Sequence, residues 1–545
     1  INVLGAYTIF SNMSDWNPAE MIGSHPTKLA ISLYSYLITD EIWAKQRFDY
    51  GYKDVRPNRL MIDMAGSPYI DLRVDFNSFL PKNLPAKIST KIVDNSINLL
   101  KKNPSSHDKI EFEIIDTCYN FDLNKKKYNF LSFKEKNNYF KELRVLTNNV
   151  LDPKKNLIKK ELNRLEILED KIKKIRKSNL SHIQKIFFLL NDCKKLGTLS
   201  FAGLARCAFI STNMLLSLKK KNLINKNELN NFYKSINTVS KDINNEYYNS
   251  LKKKNFELFL KKYGHLRPST YSISVKNYKK NFKKYFSQNL SELQYHKKTP
   301  FKLSSKKIKE LNNFFTKEKL VINFSQFIKF AKKSIEYREF AKSIFSKSIN
   351  ETFENLIKLS KEIELKKEDL EHIDITMIIN AYNNLNQSKF KKILLENIKI
   401  NKKNYNFSNF IKIPDVITCS KDFDYFNSIN SRENYVTEST ITSNVLNYSN
   451  IKNFNKIQNS IILIENADPG YDFLFSNNIS GLITKYGGSN SHMAIRCMEL
   501  NIPAIVGVGE KKYTEIMNAK KLFLDCKNNN YKIILWQNNL QLLAE

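Results

Sequence analysis

Apolar residues between positions 96 and 430 recur mostly at helical spacing. Asp152-Pro153 is a typical helix start, and the apolar positions after it lie three, four or seven residues apart: Ile158, Leu162, Leu165, Ile172 and Ile175. The stretch from Leu199 to Leu218 adds small residues that allow helices to pack closely: Ala202, Gly203, Ala205 and Ala208. These patterns predict a large, mostly helical region over residues 96–430.

The segments on either side of this region have different patterns. Residues 1–95 combine many proline and aromatic residues with short apolar runs, which predicts an irregular α+β N-terminal segment. Residues 431–454 are polar and rich in Ser, Thr and Asn, and we interpret them as a linker.

Residues 455–545 alternate short apolar strands with short helices. Strands are predicted over 461–464, 479–483, 502–508, 522–525 and 533–536, and helices over 491–500 and 513–518. Such alternation is typical of a compact α/β domain. The predicted fold class is therefore α+β multidomain, with the large helical region followed by this C-terminal α/β domain.

Composition changes this picture little. The chain has 545 residues and a formal net charge of +34, which would suit a nucleic-acid-binding protein. The lysines are dispersed among many Asn and Ile residues and form no clustered patch. Nucleic-acid binding is therefore the weakest of the functions considered, and a solvated basic surface is the better interpretation.

Cysteine usage and hydropathy set the expected location and metal content. The six cysteines form no CxxC pair and do not lie at metal-ligand spacing to histidine, so we expect reduced thiols and no metal site. No apolar run is long enough for a membrane span, and the N-terminus lacks a signal-peptide pattern. We therefore expect a cytoplasmic protein with no membrane partner.

The segment GLITKYGGSNSHMAIRCMELNIPAIVGVG, residues 481–509, carries the candidate chemistry. A strand leads into Gly487-Gly488, and Ser491 can cap the following helix, which puts His492 in the first helical turn. Glycines let the backbone approach a ligand, and free amides with the helix dipole favour an anion. An imidazole there can attack phosphorus and hold a phosphoryl group. From spacing alone, a polar histidine at a capped helix start remains the alternative.

This string resembles the phosphohistidine motif of the phosphoenolpyruvate (PEP)-utilising enzyme family, which includes pyruvate phosphate dikinase, PEP synthase and rifampicin phosphotransferase. The matching positions are in register: Ile483-Thr484, Gly487-Gly488, Ser491-His492, Ala494-Ile495, Glu499-Leu500, Ile502-Pro503-Ala504 and Gly507. The upstream run of residues 466–470, AsnAlaAspProGly, also suits the family. The resemblance implies that residues 455–545 are a phosphohistidine swivel domain with His492 as the phosphorylated intermediate.

The candidate phosphate-binding residues are Gly487, Gly488, Asn490, Ser491 and Arg496. Asn490 replaces the family's usual Thr, so regulation by phosphorylating that position is excluded. The family's arginine often lies six residues after the histidine, where this chain has Met498. Arg496 lies four residues after His492, on the same helix face, where it can neutralise phosphate charge.

A second, shorter resemblance covers residues 263–268, YGHLRP, which is similar to a segment of the rifampicin phosphotransferase-like branch. Gly264 is predicted to end a helix and to present His265 and Arg267 on the following loop. A loop histidine beside an arginine suits an anionic or phosphoryl-accepting site, so these residues form a candidate acceptor site. A structural histidine at a helix end is the alternative.

In rifampicin phosphotransferase-like proteins, a nucleotide-grasp domain precedes a helical acceptor domain and the histidine domain. This chain resembles the last two parts, begins with Ile and has no Gly-rich nucleotide-binding stretch. We therefore expect a fragment or a split protein whose partner is an ATP-grasp domain or subunit. The resemblance implies Mg²⁺ and ATP bound outside this chain, and a small-molecule phosphoryl acceptor. The alternatives are a fragment of a PEP synthase or pyruvate phosphate dikinase-like enzyme, and a non-catalytic phosphocarrier or regulatory protein.

Overall fold

The structure, a computed structural model, describes residues 3–14, 16–123, 125–237, 239–286, 300–383, 387–426, 433–451, 457–488 and 491–534. The chain divides into two compact units. The first contains the described residues within 1–239, 269–276 and 298–429, and the second those within 240–268, 277–297 and 430–545. The predicted α+β multidomain class is confirmed.

The described α-helices, in chain order, are α1 (Pro18–Ile22), α2 (Lys28–Tyr34), α3 (Ile42–Asp49), α4 (Leu72–Ser78), α5 (Ala86–Lys102), α6 (Phe133–Leu151), α7 (Leu157–Lys177), α8 (His182–Asp192), α9 (Leu199–Lys220), α10 (Lys226–Ser235), α11 (Val239–Lys253), α12 (Glu257–Tyr263), α13 (Phe282–Tyr285), α14 (Ser305–Lys317), α15 (Phe324–Glu362), α16 (Ile375–Asn380), α17 (Gln387–Ser408), α18 (His492–Leu500) and α19 (Gly509–Met517).

The described strands are β1 (Phe10–Ser11), β2 (Met61–Met64), β3 (Ser67–Asp71), β4 (Val416–Ile417), β5 (Asn434–Tyr435), β6 (Thr440–Asn447), β7 (Ile461–Ile464), β8 (Gly481–Thr484), β9 (Ala504–Val506), β10 (Lys521–Asp525) and β11 (Asn530–Ile534). They form a four-stranded sheet of order β2-β3-β1-β4 and a seven-stranded sheet of order β11-β10-β6-β7-β8-β9-β5.

The helical core of the first unit lies among α7, α8, α9 and α15. Their buried apolar residues form one cluster: Leu165, Leu168, Ile172, Ile175, Leu189, Leu204, Ala341 and Ile344. The helix predicted after Asp152-Pro153 is therefore confirmed, although α7 begins at Leu157. A Cβ atom at Gly203 would overlap the Tyr50 hydroxyl, so this small residue of α9 does allow close packing.

The N-terminal segment is not a separate domain, which corrects the predicted boundary at residue 95. Strand β1 pairs antiparallel with β3 and, on its other side, with β4. Residues more than 400 positions apart thus share one sheet, as Phe10 and Ile417 do. Local composition could not reveal this pairing, because β4 is only two residues long.

One described helical stretch, His182–Lys220, has the length and hydropathy of a membrane span. Its helical course includes a π-helical segment, Cys193–Thr198, between α8 and α9. Of its most apolar window, 72% is buried inside the protein. Burial of this extent is typical of a core helix.

The second unit is built on the seven-stranded sheet. Strands β6, β7, β8 and β9 run parallel to one another, whereas β10 pairs antiparallel with β6 and β11, and β5 pairs antiparallel with β9. Buried residues of five strands, of α19 and of the turns after β9 and β10 form its core: Val445, Ile461, Leu463, Ile483, Ile505, Val508, Tyr513, Ile516, Leu522, Leu524 and Cys526. The predicted strands and helices from residue 461 to residue 534 are confirmed within a few residues at their ends.

The predicted linker over 431–454 is corrected by the structure. Strand β6 lies inside the sheet, between β7 and β10, and β5 forms the sheet edge. The α/β domain therefore begins before residue 455. Ser and Thr made the segment look unstructured, but Thr is a favourable strand residue, and the alternating burial of Ser443 and Val445 is a strand pattern.

The predicted helical domain over 96–430 is also not continuous. The described residues of 240–268 and 277–286 cluster with the C-terminal sheet domain. Two contacts fix this packing on the 3₁₀ helix Pro469–Asn477: Ser476 hydrogen-bonds Asn244, and the Asn477 amide donates to the Tyr285 carbonyl over 2.9 Å. These contacts join residues about 200 positions apart, which local sequence patterns do not report.

Candidate active site

The candidate histidine lies at the first position of α18, as the sequence predicted. Ser491 is the N-cap, and its hydroxyl accepts a hydrogen bond from the Ala494 amide at 3.2 Å. The capped helix start is thus confirmed. Asn490 lies outside the described residues, so its predicted contact with phosphate stays a prediction.

The turn that precedes α18 depends on glycine for a packing reason. Gly487 has a φ of +137°, and a Cβ atom there would lie 2.8 Å from Cγ1 of Val506. Gly507, with a φ of +74°, packs directly against the Gly487 carbonyl. Gly487 and Gly488 are both buried. The turns after β8 and β9 therefore approach each other closely, which explains Gly487 and Gly507 without any ligand.

His492 is held by a carboxylate that the sequence analysis did not identify. Its Nε2 atom lies 2.7 Å from Oδ1 of Asp472, and the two side chains are only 4% and 3% exposed. Nε of Arg496 lies 3.4 Å from the same Nε2 atom and 3.6 Å from Asp472 Oδ1. The predicted placement of Arg496 on the face of His492 is confirmed.

These distances decide the role of Nε2. A neutral imidazole nitrogen either donates or accepts, and it cannot do both. The contact with Asp472 is shorter by 0.7 Å than the contact with Arg496. We therefore assign the proton to Nε2, which donates to Asp472.

Arg496 is fully buried and forms an ion pair with Glu499 one helical turn later. Its Nη1 atom donates to Glu499 Oε2 over 2.6 Å, and neither side chain is exposed. The buried cluster thus contains one histidine, one arginine and two carboxylates. A buried charge is tolerated when it is paired in this way.

Asp472 is positioned by the 3₁₀ helix Pro469–Asn477. The Tyr278 hydroxyl donates to the Gly470 carbonyl over 2.8 Å. The Phe473 ring packs 6.2 Å from the ring of Tyr278 and 4.9 Å from that of Tyr285, measured between centroids. Burial, together with the Asp472 charge, raises the pKa of Tyr278 well above its ordinary value, so its hydroxyl stays protonated.

The candidate acceptor residues lie in the same unit. Gly264 ends α12, as predicted, and the following loop carries His265 and Arg267. Arg267 is buried, and its carbonyl oxygen lies where a Cβ atom of Gly470 would be. The YGHLRP segment therefore packs by its backbone against the turn that leads to Asp472. Its role as an acceptor site stays a prediction.

Sequence reasoning missed Asp472 and the pairing of Glu499. One signal for each was present: Asp472 interrupts an apolar run, and Glu499 is three residues after Arg496, at ion-pair spacing. Among the described residues, no group of three His, Cys, Asp or Glu side chains is arranged to hold a metal ion.

Comparison with known families agrees with this geometry. Residues 456–529 match the family described as PEP-utilising enzyme, mobile domain. The match includes every described residue of the buried cluster around His492, and the mobile domain is the swivel domain of phosphotransfer enzymes. A comparison with curated proteins found no match.

Proposed function

We propose that this chain is a phosphotransferase component in which His492 is phosphorylated from ATP and passes the phosphoryl group to a small-molecule acceptor. The ATP site belongs to an ATP-grasp domain or subunit outside this chain, with Mg²⁺ accompanying the nucleotide. The protein acts in the cytoplasm in this proposal. The observation that carries it is a histidine at a capped helix start, beside a buried arginine, within the mobile domain.

The chemistry has two transfers. The attacking ring nitrogen of His492 must have a free lone pair, so the imidazole proton lies on the other ring nitrogen during the transfer. The attacking nitrogen forms an N–P bond, and the P–O bond to the leaving phosphate group breaks. The acceptor hydroxyl then attacks the same phosphorus and releases its proton, the N–P bond breaks, and the neutral imidazole is restored. Arg496 supports both steps by offsetting phosphoryl charge, and the amides at the start of α18 act in the same direction.

Arg496 also indicates which nitrogen reacts. Its guanidinium lies beside Nε2, so a phosphoryl group on Nε2 would lie next to a cation. Nε2 is therefore the proposed site of attachment.

His265 and Arg267 are the proposed acceptor-side residues. They are in the same compact unit as His492, and an arginine near the acceptor favours a phosphorylated product. The test is a His265→Ala variant in the reconstituted system. It should retain phosphorylation of His492 and lose transfer to the acceptor, whereas normal transfer would remove His265 from the site.

The proposal as a whole is tested with the chain, ATP, Mg²⁺ and a cell extract that supplies the ATP-binding partner. We expect an acid-labile, base-stable label on the chain and none on a His492→Gln variant. Gln is the matched control because its amide can still donate to Asp472 but cannot form a phosphohistidine. Acid-stable label, or equal label on the variant, would show that the phosphoryl group is elsewhere.

Offering PEP in place of ATP separates this proposal from its nearest alternative. A fragment of a PEP synthase or dikinase-like enzyme should acquire label from PEP when the matching barrel domain is present. A regulatory phosphocarrier should acquire label but transfer it to a protein.

A further inference from the structure

The arrangement around His492 does not permit phosphoryl transfer as it stands. A nitrogen that carries a proton has no free lone pair in the ring plane, and Nε2 donates its proton to Asp472 over 2.7 Å. The His492 side chain is only 4% exposed. A phosphorus atom would need to lie about 3 Å from Nε2, within near-attack distance, and Asp472 lies there.

Charge leads to the same conclusion for the product. A phosphoryl group carries roughly −1.5 to −2 charges at neutral pH. On Nε2 it would face the Asp472 carboxylate inside a buried site, where like charges are screened least. Phosphohistidine at Nε2 and the present position of Asp472 therefore exclude each other.

The position of Asp472 is set by residues 264–268 and 277–286 of the same unit. Gly470, two residues before Asp472, receives the Tyr278 hydrogen bond and packs against the Arg267 carbonyl. On the other side of Asp472, Asn477 donates to the Tyr285 carbonyl. A displacement of Asp472 from His492 would thus be transmitted to these residues.

We infer that Asp472 is a gate on His492: it blocks Nε2 in the dephosphorylated protein. For phosphoryl transfer to occur, Asp472 must move away and the Nε2 proton must pass to Nδ1, which gives Nε2 a free lone pair. The gate deepens the proposed function, since it regulates the same histidine. The closed gate keeps the imidazole from solvent and from adventitious electrophiles. Residues 264–268 and 277–286 hold the gate closed.

Access to His492 is measured with diethyl pyrocarbonate, which acylates an accessible imidazole nitrogen that has a free lone pair. The rate at each histidine is followed by peptide mass spectrometry at pH 8, where an ordinary imidazole is neutral. In the parent chain we expect His492 to react far more slowly than N-acetylhistidine. Asp472→Ala should raise its rate roughly tenfold or more, in line with the loss of one charge-assisted hydrogen bond. Asp472→Asn, which keeps a neutral acceptor, should raise it less.

Asp468→Ala is the matched control, because Asp468 caps the same 3₁₀ helix through the Gly470 amide at 2.7 Å. The buried Cys497 on α18 reports whether the domain stays folded. The gate is supported if both Asp472 variants accelerate His492 while Cys497 stays unreactive to iodoacetamide. It is overturned by a fast parent rate, by unchanged rates in both variants, or by an equal acceleration in Asp468→Ala. A faster reaction of His492 that appears only in variants whose Cys497 reacts with iodoacetamide also counts against the gate, because the domain is then unfolded.

This test needs no phosphoryl donor. If the diethyl pyrocarbonate test overturns the gate, the phosphohistidine proposal still stands. If His492 is found not to be phosphorylated, the measured reactivity of His492 with diethyl pyrocarbonate is still valid. The two proposals therefore fail separately.

Discussion

Nε2 of His492 lies 2.7 Å from Oδ1 of Asp472, with both side chains buried. In the proposed function, the nitrogen that receives the phosphoryl group is thus bonded to a carboxylate of its own domain. A histidine that must react with a bulky electrophile is ordinarily accessible. Its burial here means that the reactive state differs from the described one, and Asp472 is the group that has to be displaced.

The ion pair of Arg496 and Glu499 makes a first prediction about stability. Arg496→Met should destabilise the second unit by about 3–5 kcal/mol, because it leaves the buried Glu499 carboxylate without its cation. The double variant Arg496→Met, Glu499→Leu should recover most of this loss, since both charges are then absent. Denaturant unfolding followed by tyrosine fluorescence measures both.

The matched control is Lys262→Met, which removes an exposed ion pair with Glu246 in the same unit. Exposed ion pairs contribute at most about 1 kcal/mol to the free energy of unfolding. An Arg496→Met variant no less stable than Lys262→Met would contradict the buried pairing.

Gly470 makes a prediction about packing within the second unit. Gly470→Ala should cost about 1–3 kcal/mol or more, because the added Cβ overlaps the backbone carbonyl of Arg267, which cannot rotate away. Hydrogen exchange should increase at 264–268 and 277–286 as well as at 469–477. Gly481→Ala is the control, because its Cβ would lie 3.0 Å from Cγ1 of Ile461 and 3.2 Å from the Pro503 carbonyl oxygen, much farther than the 1.6 Å between a Gly470 Cβ and the Arg267 carbonyl oxygen. Equal losses in the two variants would argue against the close approach.

The cysteines predict an order of alkylation. All six thiols are free, and Cys419 alone among them is exposed. Burial raises the pKa of Cys193 and of Cys207 to about 12, so these thiols stay protonated and unreactive at pH 8. Iodoacetamide should label Cys419 first and the others only on unfolding, as peptide mapping will show. Early labelling of Cys193 or Cys207 would contradict the buried core of the first unit.

Glu111 predicts how acid affects the first unit. Burial alone would raise the pKa of this carboxyl, but the bidentate ion pair with Arg206 holds it below its ordinary value. A depressed folded-state pKa stabilises the fold above the unfolded value of about 4.5, and this contribution is lost as pH falls toward the folded value. In Glu111→Gln, the free energy of unfolding should therefore fall less steeply as the pH is lowered from about 5 to about 3. An unchanged slope would rule out this role.

The sequence was informative where structure is local. The α7 pattern, the Ser491 cap and the strands around Ile461 and Ile483 each depend on neighbours within a few residues, and all were predicted. Strand pairing over long distances was not predictable. Strand β4 has only two residues, and the exposed residues of β6 are polar, so neither segment has a run of apolar residues that would indicate a strand. Asp472 was missed for the same reason, since its partner His492 lies twenty positions later.

The central claim is that His492 carries a phosphoryl group, and the most direct measurement is the phosphorylation state of His492 itself. The chain is purified at neutral to mildly alkaline pH from cells that produce it, digested, and analysed by mass spectrometry under conditions that preserve N–P bonds. The account predicts one phosphoryl group on the peptide containing His492, lost after brief acid treatment and absent from His492→Gln. A phosphoryl group on another residue, or one on the His492 peptide that survives acid, would contradict the account.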